Sequence, residues 1–105
     1  MIKLVTYATS NMSFAREKCI QSALEFGCDS VHENDLHDDF KMLNFDIFSQ
    51  PRGAGYWLWK PYLIYQAMSW MQDGDFLVYS DAGVQFVSDV RNITDRMDED
   101  IHFFF

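Results

Sequence analysis

The sequence of 105 residues predicts a single α/β domain in which flanking helices cover a Rossmann-like parallel sheet. Two apolar runs rich in β-branched and aromatic residues, at positions 2–7 and 76–80, predict strands. Between them, apolar residues recur at the three- and four-residue spacing of amphipathic helices. A strand, a helix and a second strand in succession form a right-handed parallel unit. The hydrophobic fraction of 49% indicates a chain with a packed core.

The first part of the chain predicts a strand, a helix and a short strand. The first strand covers residues 2–7 and is central in the sheet, and the small polar residues that follow end it. The helix covers residues 13–26, and Gly27 stands where a helix commonly ends in a left-handed turn. The predicted core face of this helix consists of Ala15, Cys19, Ile20, Ala23 and Leu24. The second strand covers residues 29–33, whereas residues 34–50 fit no single period.

The second part of the chain predicts a helix followed by a buried strand. Pro61 suits the first turn of a helix, because its missing N–H has no partner within the helix there. The helix runs to about Met71, and a turn at residues 73–74 leads into a strand over residues 76–80. Asp81 follows this strand directly. The predicted core face of this helix consists of Leu63, Ile64, Ala67, Met68 and Met71.

The charge and the ends of the chain limit its partners and its location. A net charge of -8 and a pI near 4.5 exclude nucleic acid and anionic membranes as predicted partners, because both select clustered Lys and Arg. The acid-rich residues 89–100 predict a solvated helix face or turn. With no transmembrane segment or signal peptide, and with two reduced cysteines, the sequence predicts a cytoplasmic protein. Residues 101–105 have the pattern of a buried strand, so we expect the N-terminal portion of a larger, truncated domain.

Two segments that follow predicted strands are expected to meet at one edge of the sheet. In open α/β sheets, ligands bind beyond the carboxyl ends of the strands, which places residues 8–10 and 81–83 at one crevice. Asp81 can hold a divalent cation or a ribose hydroxyl, or it can cap the following turn. Thr6, Tyr7 and Thr9 can offer hydrogen bonds or a stacking face to a base, or they can be ordinary strand-end residues. Their position at the strand end is the evidence.

A glycine-containing stretch before the second helix is a candidate anion site. Arg52 and Lys60 flank its two glycines next to a helix N-terminus, where free N–H groups and the helix dipole favour an anion such as a diphosphate. Neither the P-loop spacing nor the GxGxxG pattern is present. The alternative is a tight turn with both tryptophans of the stretch in the core and both cations solvated. Residues 33–35, which end the second strand near the same crevice, offer either a ribose or base contact or a solvated turn.

These segments together resemble a group of GT-A type glycosyltransferases. The resemblance rests on the pattern RGxGYWxWKP at residues 52–61, a helix, and then the pattern LVYSDAG at residues 77–83. It spans the chain from the first strand to about Val84, and the first pattern is its most specific part. Such proteins occur among bacterial surface-polysaccharide enzymes and large algal viruses. The resemblance implies a GT-A sheet that binds a nucleotide-diphospho-sugar and transfers the sugar to a glycan acceptor.

The resemblance also implies a role for individual residues. It places the first strand near the base, and the carboxylate motif near ribose, diphosphate and a divalent metal, Mn²⁺ or Mg²⁺. Asp81 corresponds to the first acid of the DxD motif and is the implied metal ligand, but Gly83 stands where the second acid belongs. A single carboxylate would depend on substrate phosphates to hold the metal. The predicted donor-binding residues are Thr6, Tyr7, Ala8, Thr9, Arg52, Lys60, Asp81, Ala82 and Gly83.

Two other functions compete with sugar transfer. In such enzymes the catalytic base and the acceptor site belong to a later half of the domain, so the chain can instead be a catalytically incomplete module for nucleotide binding or interaction. A further class is the α/β enzyme that uses a lone Asp after a strand as a phosphatase-like nucleophile. Against that class, the second acid expected two residues after Asp81 is Gly83.

Overall fold

The structure is a computed structural model that describes residues 1–34, 38–52, 55 and 57–101. Its three strands form one parallel sheet in the order β2-β1-β3. The strands are β1 (Ile2–Val5), β2 (Ser30–Val31) and β3 (Phe76–Tyr79). The helices are α1 (Ser13–Glu25), α2 (Asp38–Leu43), α3 (Phe45–Phe48), α4 (Trp59–Met68) and α5 (Arg91–Thr94). The predicted α/β class and the central position of the first strand are confirmed.

The sheet has a helix on each face because β1 alternates its buried side chains. Leu4 lies in the core cluster beneath α1, which also contains Ile2, Cys19, Ala23, Cys28 and Val90. Val5, the next residue, lies in the cluster beneath α4 with Trp59, Leu63 and Ala67. Successive side chains of a strand point to opposite faces, so β1 supplies both clusters at once. The first strand therefore fixes where both helices pack.

Helix α1 has the predicted bounds to within one residue, but one residue of its predicted core face is wrong. Gly27 has φ 110° and forms the predicted left-handed end. Cys19 and Ala23 are buried, whereas Leu24 is 46% exposed. Leu24 follows Ala23 by a rotation of about 100° and so leaves the buried stripe. Ser22 takes the place in the core, where its hydroxyl donates to the Cys19 carbonyl and accepts from the Phe86 N–H.

Helix α4 begins at Trp59, with Pro61 in its first turn as predicted. It ends at Met68 and not at Met71, and the prediction that Met68 is a core residue is wrong, because its side chain is exposed. The buried residues of α4 are Trp59, Leu63 and Ala67, which are four apart and form one narrow stripe. Met68 lies next to that stripe and faces away from the sheet.

Strand β3 is half-buried, so the prediction of a fully buried strand before Asp81 is wrong. Within the described sheet β3 pairs with β1 alone and forms an edge, which leaves part of each side chain uncovered. The second predicted strand is shorter than expected and comprises only Ser30–Val31. The backbone N–H of the preceding Asp29 still donates to the Ile2 carbonyl, and the Asp29 carboxylate accepts from the Ile2 N–H at 2.7 Å.

The last part of the described chain is solvated. Asp95, Asp98, Glu99 and Asp100 are exposed, which confirms the solvated surface predicted for the acid-rich segment. Ile101 is exposed as well, and the rest of the strand predicted at residues 101–105 lies outside the described residues. In the part of the chain that the structure describes, no helix is long and apolar enough to cross a membrane.

Candidate functional site

A cleft of about 450 Å³ opens at the carboxyl ends of β1 and β3. These strands are parallel neighbours, so the segments that leave them emerge at the same edge of the sheet. The predicted convergence of the two strand-end segments is confirmed by Ala8 and Thr9 on one side and Asp81, Ala82 and Gly83 on the other. The described residues that line the cleft are Tyr7, Ala8, Thr9, Asn11, Met12, Pro51, Trp57, Trp59, Lys60, Asp81, Ala82 and Gly83.

Asp81 presents its carboxylate to solvent at the mouth of this cleft. The backbone bond from the Ser80 N–H to the Val5 carbonyl continues the sheet up to the residue before it. The side chain of Asp81 is 68% exposed, and its Oδ1 accepts a hydrogen bond from the Tyr79 hydroxyl at 2.9 Å. The following residue, Ala82, is buried. The turn is thus anchored while the carboxylate remains accessible to a ligand.

Lys60 meets Asp81 from the first turn of α4. Its Nζ lies 3.5 Å from Asp81 Oδ1 and 5.0 Å from the centre of the Tyr79 ring. Burial, and then the hydrogen bond to Asp81, raise the pKa of Tyr79, so its hydroxyl stays protonated and donates at neutral pH. Lys60, Tyr79 and Asp81, named here the charge cluster, join one cation and one anion. An incoming anion can take Lys60 while Asp81 keeps the hydrogen bond from Tyr79.

The charge cluster fits a metal ion only when the ligand contributes to its coordination. Among the described residues, no group of three His, Cys, Asp or Glu side chains is placed to hold a metal. Of the described residues that line the cleft, Asp81 alone offers an accessible carboxylate. Mg²⁺ is commonly held by one or two carboxylates together with substrate phosphates and water. The residues present therefore fit a cation that binds together with a phosphorylated ligand.

Two predicted site residues, Thr6 and Arg52, are not brought to the cleft lining. Thr6 is fully buried, its hydroxyl has no hydrogen-bond partner among the described residues, and its carbonyl accepts from Arg16 Nε at 3.3 Å. Asn34, at the end of the second predicted strand, donates its side-chain amide to the same carbonyl. Asp35 lies outside the described residues.

The guanidinium of Arg52 lies over the ring of Trp57, 5.8 Å from the ring centre. Gly53, the first glycine of the expected anion-binding stretch, lies outside the described residues. Gly55 is buried with φ 98°, and a Cβ there would lie 2.9 Å from Phe48 Cα. A glycine at this position is therefore required by close packing, whatever ligand the cleft binds.

The tryptophans are cleft residues that were not predicted as part of the site. The alternative interpretation, with both tryptophans in the core, is correct for Trp59, which is 7% exposed and packs against Tyr7 with ring centres 4.5 Å apart. It is wrong for Trp57, which is 45% exposed and lines the cleft. The signal in the sequence was the density of aromatic residues beside glycine. That signal does not tell which ring is buried.

Comparison of the chain with sequence models of protein families, with curated proteins and with solved structures finds no match in any of the three. A function must therefore be inferred from the chemistry of the cleft. It combines one lysine, one accessible carboxylate and an aromatic wall at the ends of parallel strands.

Proposed function

We propose that this chain binds a nucleotide-diphospho-sugar in the cleft and forms the donor-binding part of a GT-A type glycosyltransferase with a Rossmann-like sheet. The observation that carries the proposal is the meeting of Lys60 and Asp81, 3.5 Å apart, beyond the ends of two parallel strands. A cation and a carboxylate at this position complement a diphosphate and the divalent metal that accompanies it.

Electrostatics explain why both Lys60 and Asp81 would be needed to bind a diphosphate together with its metal. The chain carries a net charge of -8, which repels an anionic ligand at long range. Lys60 is the cation among the described residues that line the cleft, and hydrogen bonds to a charged group contribute roughly 1.5–3 kcal/mol. Asp81 would repel a phosphate unless a metal lay between them. Asp81 would therefore hold Mn²⁺ or Mg²⁺, and Lys60 would contact the diphosphate.

The size and lining of the cleft support a small-molecule ligand. Its volume of about 450 Å³ lies within the range of roughly 300–1,000 Å³ for ligand pockets. Aromatic walls with a few charged groups are typical of such pockets. When bound, the metal would supply the positive charge that stabilises a departing nucleoside diphosphate. The transfer of the sugar to a glycan acceptor would follow from that stabilisation.

The second candidate function is nucleotide binding without sugar transfer. The observation that favours it is that Asp81 is the one acid, with no histidine, among the described residues lining the cleft. Because Asp81 is engaged by Lys60 and Tyr79, it is poorly suited as a general base. An assay with the chain, a nucleotide-sugar and a mixture of glycan acceptors separates the two candidates: release of the nucleoside diphosphate with the sugar recovered on an acceptor supports the enzyme, and binding without release supports the module.

Replacement of Asp81 by Asn is expected to abolish the effect of metal on nucleotide binding. We expect the wild type to bind at least one of UDP, GDP and dTDP, and to bind it more tightly with Mn²⁺ than without. Asp81→Asn removes the charge that holds the metal, so its affinity for the nucleotide should be the same with and without Mn²⁺. Isothermal titration calorimetry measures both affinities.

The matched control is Asp73→Asn, which removes an exposed carboxylate in the turn before β3, outside the cleft lining. This variant should keep the response to Mn²⁺. A wild type that binds none of the three nucleotides would refute the proposed function. An unchanged Mn²⁺ response in Asp81→Asn would refute the role of Asp81 alone.

Replacement of Gly83 by Asp is expected to strengthen metal binding. A Cβ at Gly83 meets no atom within 4 Å, so the turn can accept a side chain two residues after Asp81. A second carboxylate increases the charge and number of ligands, which raises affinity for a divalent cation. Titration with Mn²⁺, followed by its electron paramagnetic resonance signal, measures the gain. The control Val84→Asp adds the same charge at an exposed neighbour outside the cleft lining, and an equal gain there would contradict the prediction.

A further inference from the structure

Trp57 has a backbone conformation that its side chain disfavours. Its φ is 58°, and it is the non-glycine residue with positive φ in the described part of the chain. In this left-handed region the Cβ of an L-residue comes close to the backbone, and bulky residues are rarely found there. Such strained residues persist when the surrounding structure holds them, and they cluster at ligand-binding sites. The conformation of Trp57 therefore calls for a physical reason.

Packing in the core does not supply that reason. Trp57 remains 45% exposed, whereas Trp59, two residues later, is buried against β1 and Tyr7. The described contact of the Trp57 ring is with the guanidinium of Arg52, 5.8 Å from the ring centre. Cation–π contacts at exposed sites are weak. The strained backbone thus places a large aromatic surface at the cleft, where it is left half open to solvent.

We propose that Trp57 is a ligand-contacting residue whose indole stacks on the apolar face of the sugar ring of a nucleotide-diphospho-sugar. The proposal rests on the proposed function of the cleft. One face of a pyranose carries C–H groups and packs on an aromatic ring, which excludes water from both. Arg52, which does not line the cleft, is then a positioning residue that holds the indole from one side.

The sugar fits this position better than the base does. The sugar that is transferred must meet an acceptor that arrives from solvent, so its binding surface belongs at an open rim such as the half-exposed Trp57. Lys60, three residues further along and also in the cleft lining, would bind the diphosphate to which that sugar is attached. Aromatic stacking at the rim would thus select for the sugar next to the diphosphate site.

The test compares nucleotides with and without their sugar on variants of Trp57. Calorimetry with UDP and UDP-glucose, GDP and GDP-mannose, and dTDP and dTDP-glucose gives the extra affinity that the sugar contributes. In Trp57→Gly this extra affinity should fall by about fivefold, while affinity for the nucleotide alone stays within about twofold. Trp57→Phe should retain most of the sugar effect. The control Trp70→Gly removes an exposed tryptophan outside the cleft lining and should change neither affinity.

A second measurement tests the strain without any ligand. Glycine adopts positive φ without steric cost, so Trp57→Gly should keep or raise the urea midpoint of unfolding. Trp70→Gly has no strain to relieve and should lower that midpoint through the added freedom of the unfolded chain. A larger loss of stability in Trp57→Gly than in Trp70→Gly would overturn the inference that the backbone of Trp57 is strained.

The remaining outcomes separate this inference from the function it rests on. Equal losses for nucleotide and nucleotide-sugar in Trp57→Gly would assign the ring to the base, and no loss in either would remove it from the site; both overturn the proposal while nucleotide binding stands. A wild type that binds no nucleotide overturns the proposed function and this inference together. Arg52→Met should reduce only the sugar effect, and Arg52→Lys should restore it. A loss of affinity for the bare nucleotide in Arg52→Met would instead make Arg52 a phosphate ligand.

Discussion

Replacing Lys60 with Met is expected to weaken the binding of a nucleoside diphosphate by about tenfold or more, because a charge-assisted contact of roughly 1.5–3 kcal/mol is lost. Methionine keeps an unbranched side chain of nearly the same size but lacks Nζ, so the change removes the charge together with its contact over the Tyr79 ring. Lys60 is the cation that the structure describes in the cleft lining, and no second lysine or arginine described there can replace it. Calorimetric titration of wild type and variant with UDP, GDP and dTDP measures the loss.

The same substitution should have the opposite effect on metal binding in the absence of nucleotide. Lys60 Nζ lies 3.5 Å from the carboxylate that would hold the metal, so lysine and metal compete for Asp81. Exposed ion pairs contribute roughly 0.2–1 kcal/mol, which corresponds to a gain in Mn²⁺ affinity of about fivefold at most. Damage to the fold would weaken both ligands, so it cannot explain a variant that loses affinity for the nucleotide and gains affinity for Mn²⁺.

The matched control for this prediction is Lys41→Met, which removes an exposed lysine of α2 that does not line the cleft. It should change neither titration. Equal weakening of nucleotide and Mn²⁺ binding in Lys60→Met would indicate damage to the fold, and an unchanged affinity for nucleotide would remove Lys60 from the site.

If the proposed function is correct, the competition at Asp81 would also couple the binding of the metal to the binding of the nucleotide. A diphosphate that attracts Lys60 leaves the carboxylate open for a metal, and a metal on Asp81 releases Lys60 for the diphosphate. Binding free energies are linked reciprocally, so each ligand must raise the affinity of the other by the same factor. In the proposed site, this coupling would supply part of the metal affinity that a second acid at Gly83 would otherwise provide. Lys60→Met should reduce this coupling.

The sequence predicts well those features of this fold that depend on local periodicity and on one topological rule. The bounds of α1 and the central place of β1 follow from apolar spacing and from an apolar run at the start of the chain. The meeting of residues 8–9 with residues 81–83 follows because parallel strands end at one edge. These predictions need no knowledge of which side chains touch.

Features that depend on tertiary contacts were not predictable in the same way. The half-burial of β3 depends on strand order, which the apolar pattern of a single strand does not contain. Trp57 and Trp59 have the same side chain and both line the cleft, yet Trp57, with φ 58°, is 45% exposed and Trp59 is 7% exposed. Arg52 had a plausible phosphate-binding position in sequence, yet its guanidinium lies over an indole. A sequence pattern indicates which chemistry a segment can carry, but it does not show where each side chain of that segment points.

Replacing Leu63 with Ala is expected to lower the free energy of unfolding by roughly 2–5 kcal/mol, the range for a leucine removed from a packed core. Leu63 is fully buried between Trp59 and Ala67, in the cluster that joins α4 to β1. Domains of this kind are stable by only about 5–15 kcal/mol, so this single change removes a large part of the total. Urea unfolding followed by circular dichroism measures it.

The matched control is Leu24→Ala, which makes the same chemical change at a residue that the apolar pattern of α1 places in the core and the structure leaves 46% exposed. Because water already covers much of Leu24, its truncation should cost well under about 2 kcal/mol. Equal losses at the two positions would contradict the described packing of α1. A small loss at Leu63 would mean that α4, which carries Trp59 and Lys60 to the cleft, is not held by the cluster on which the geometry of the site depends.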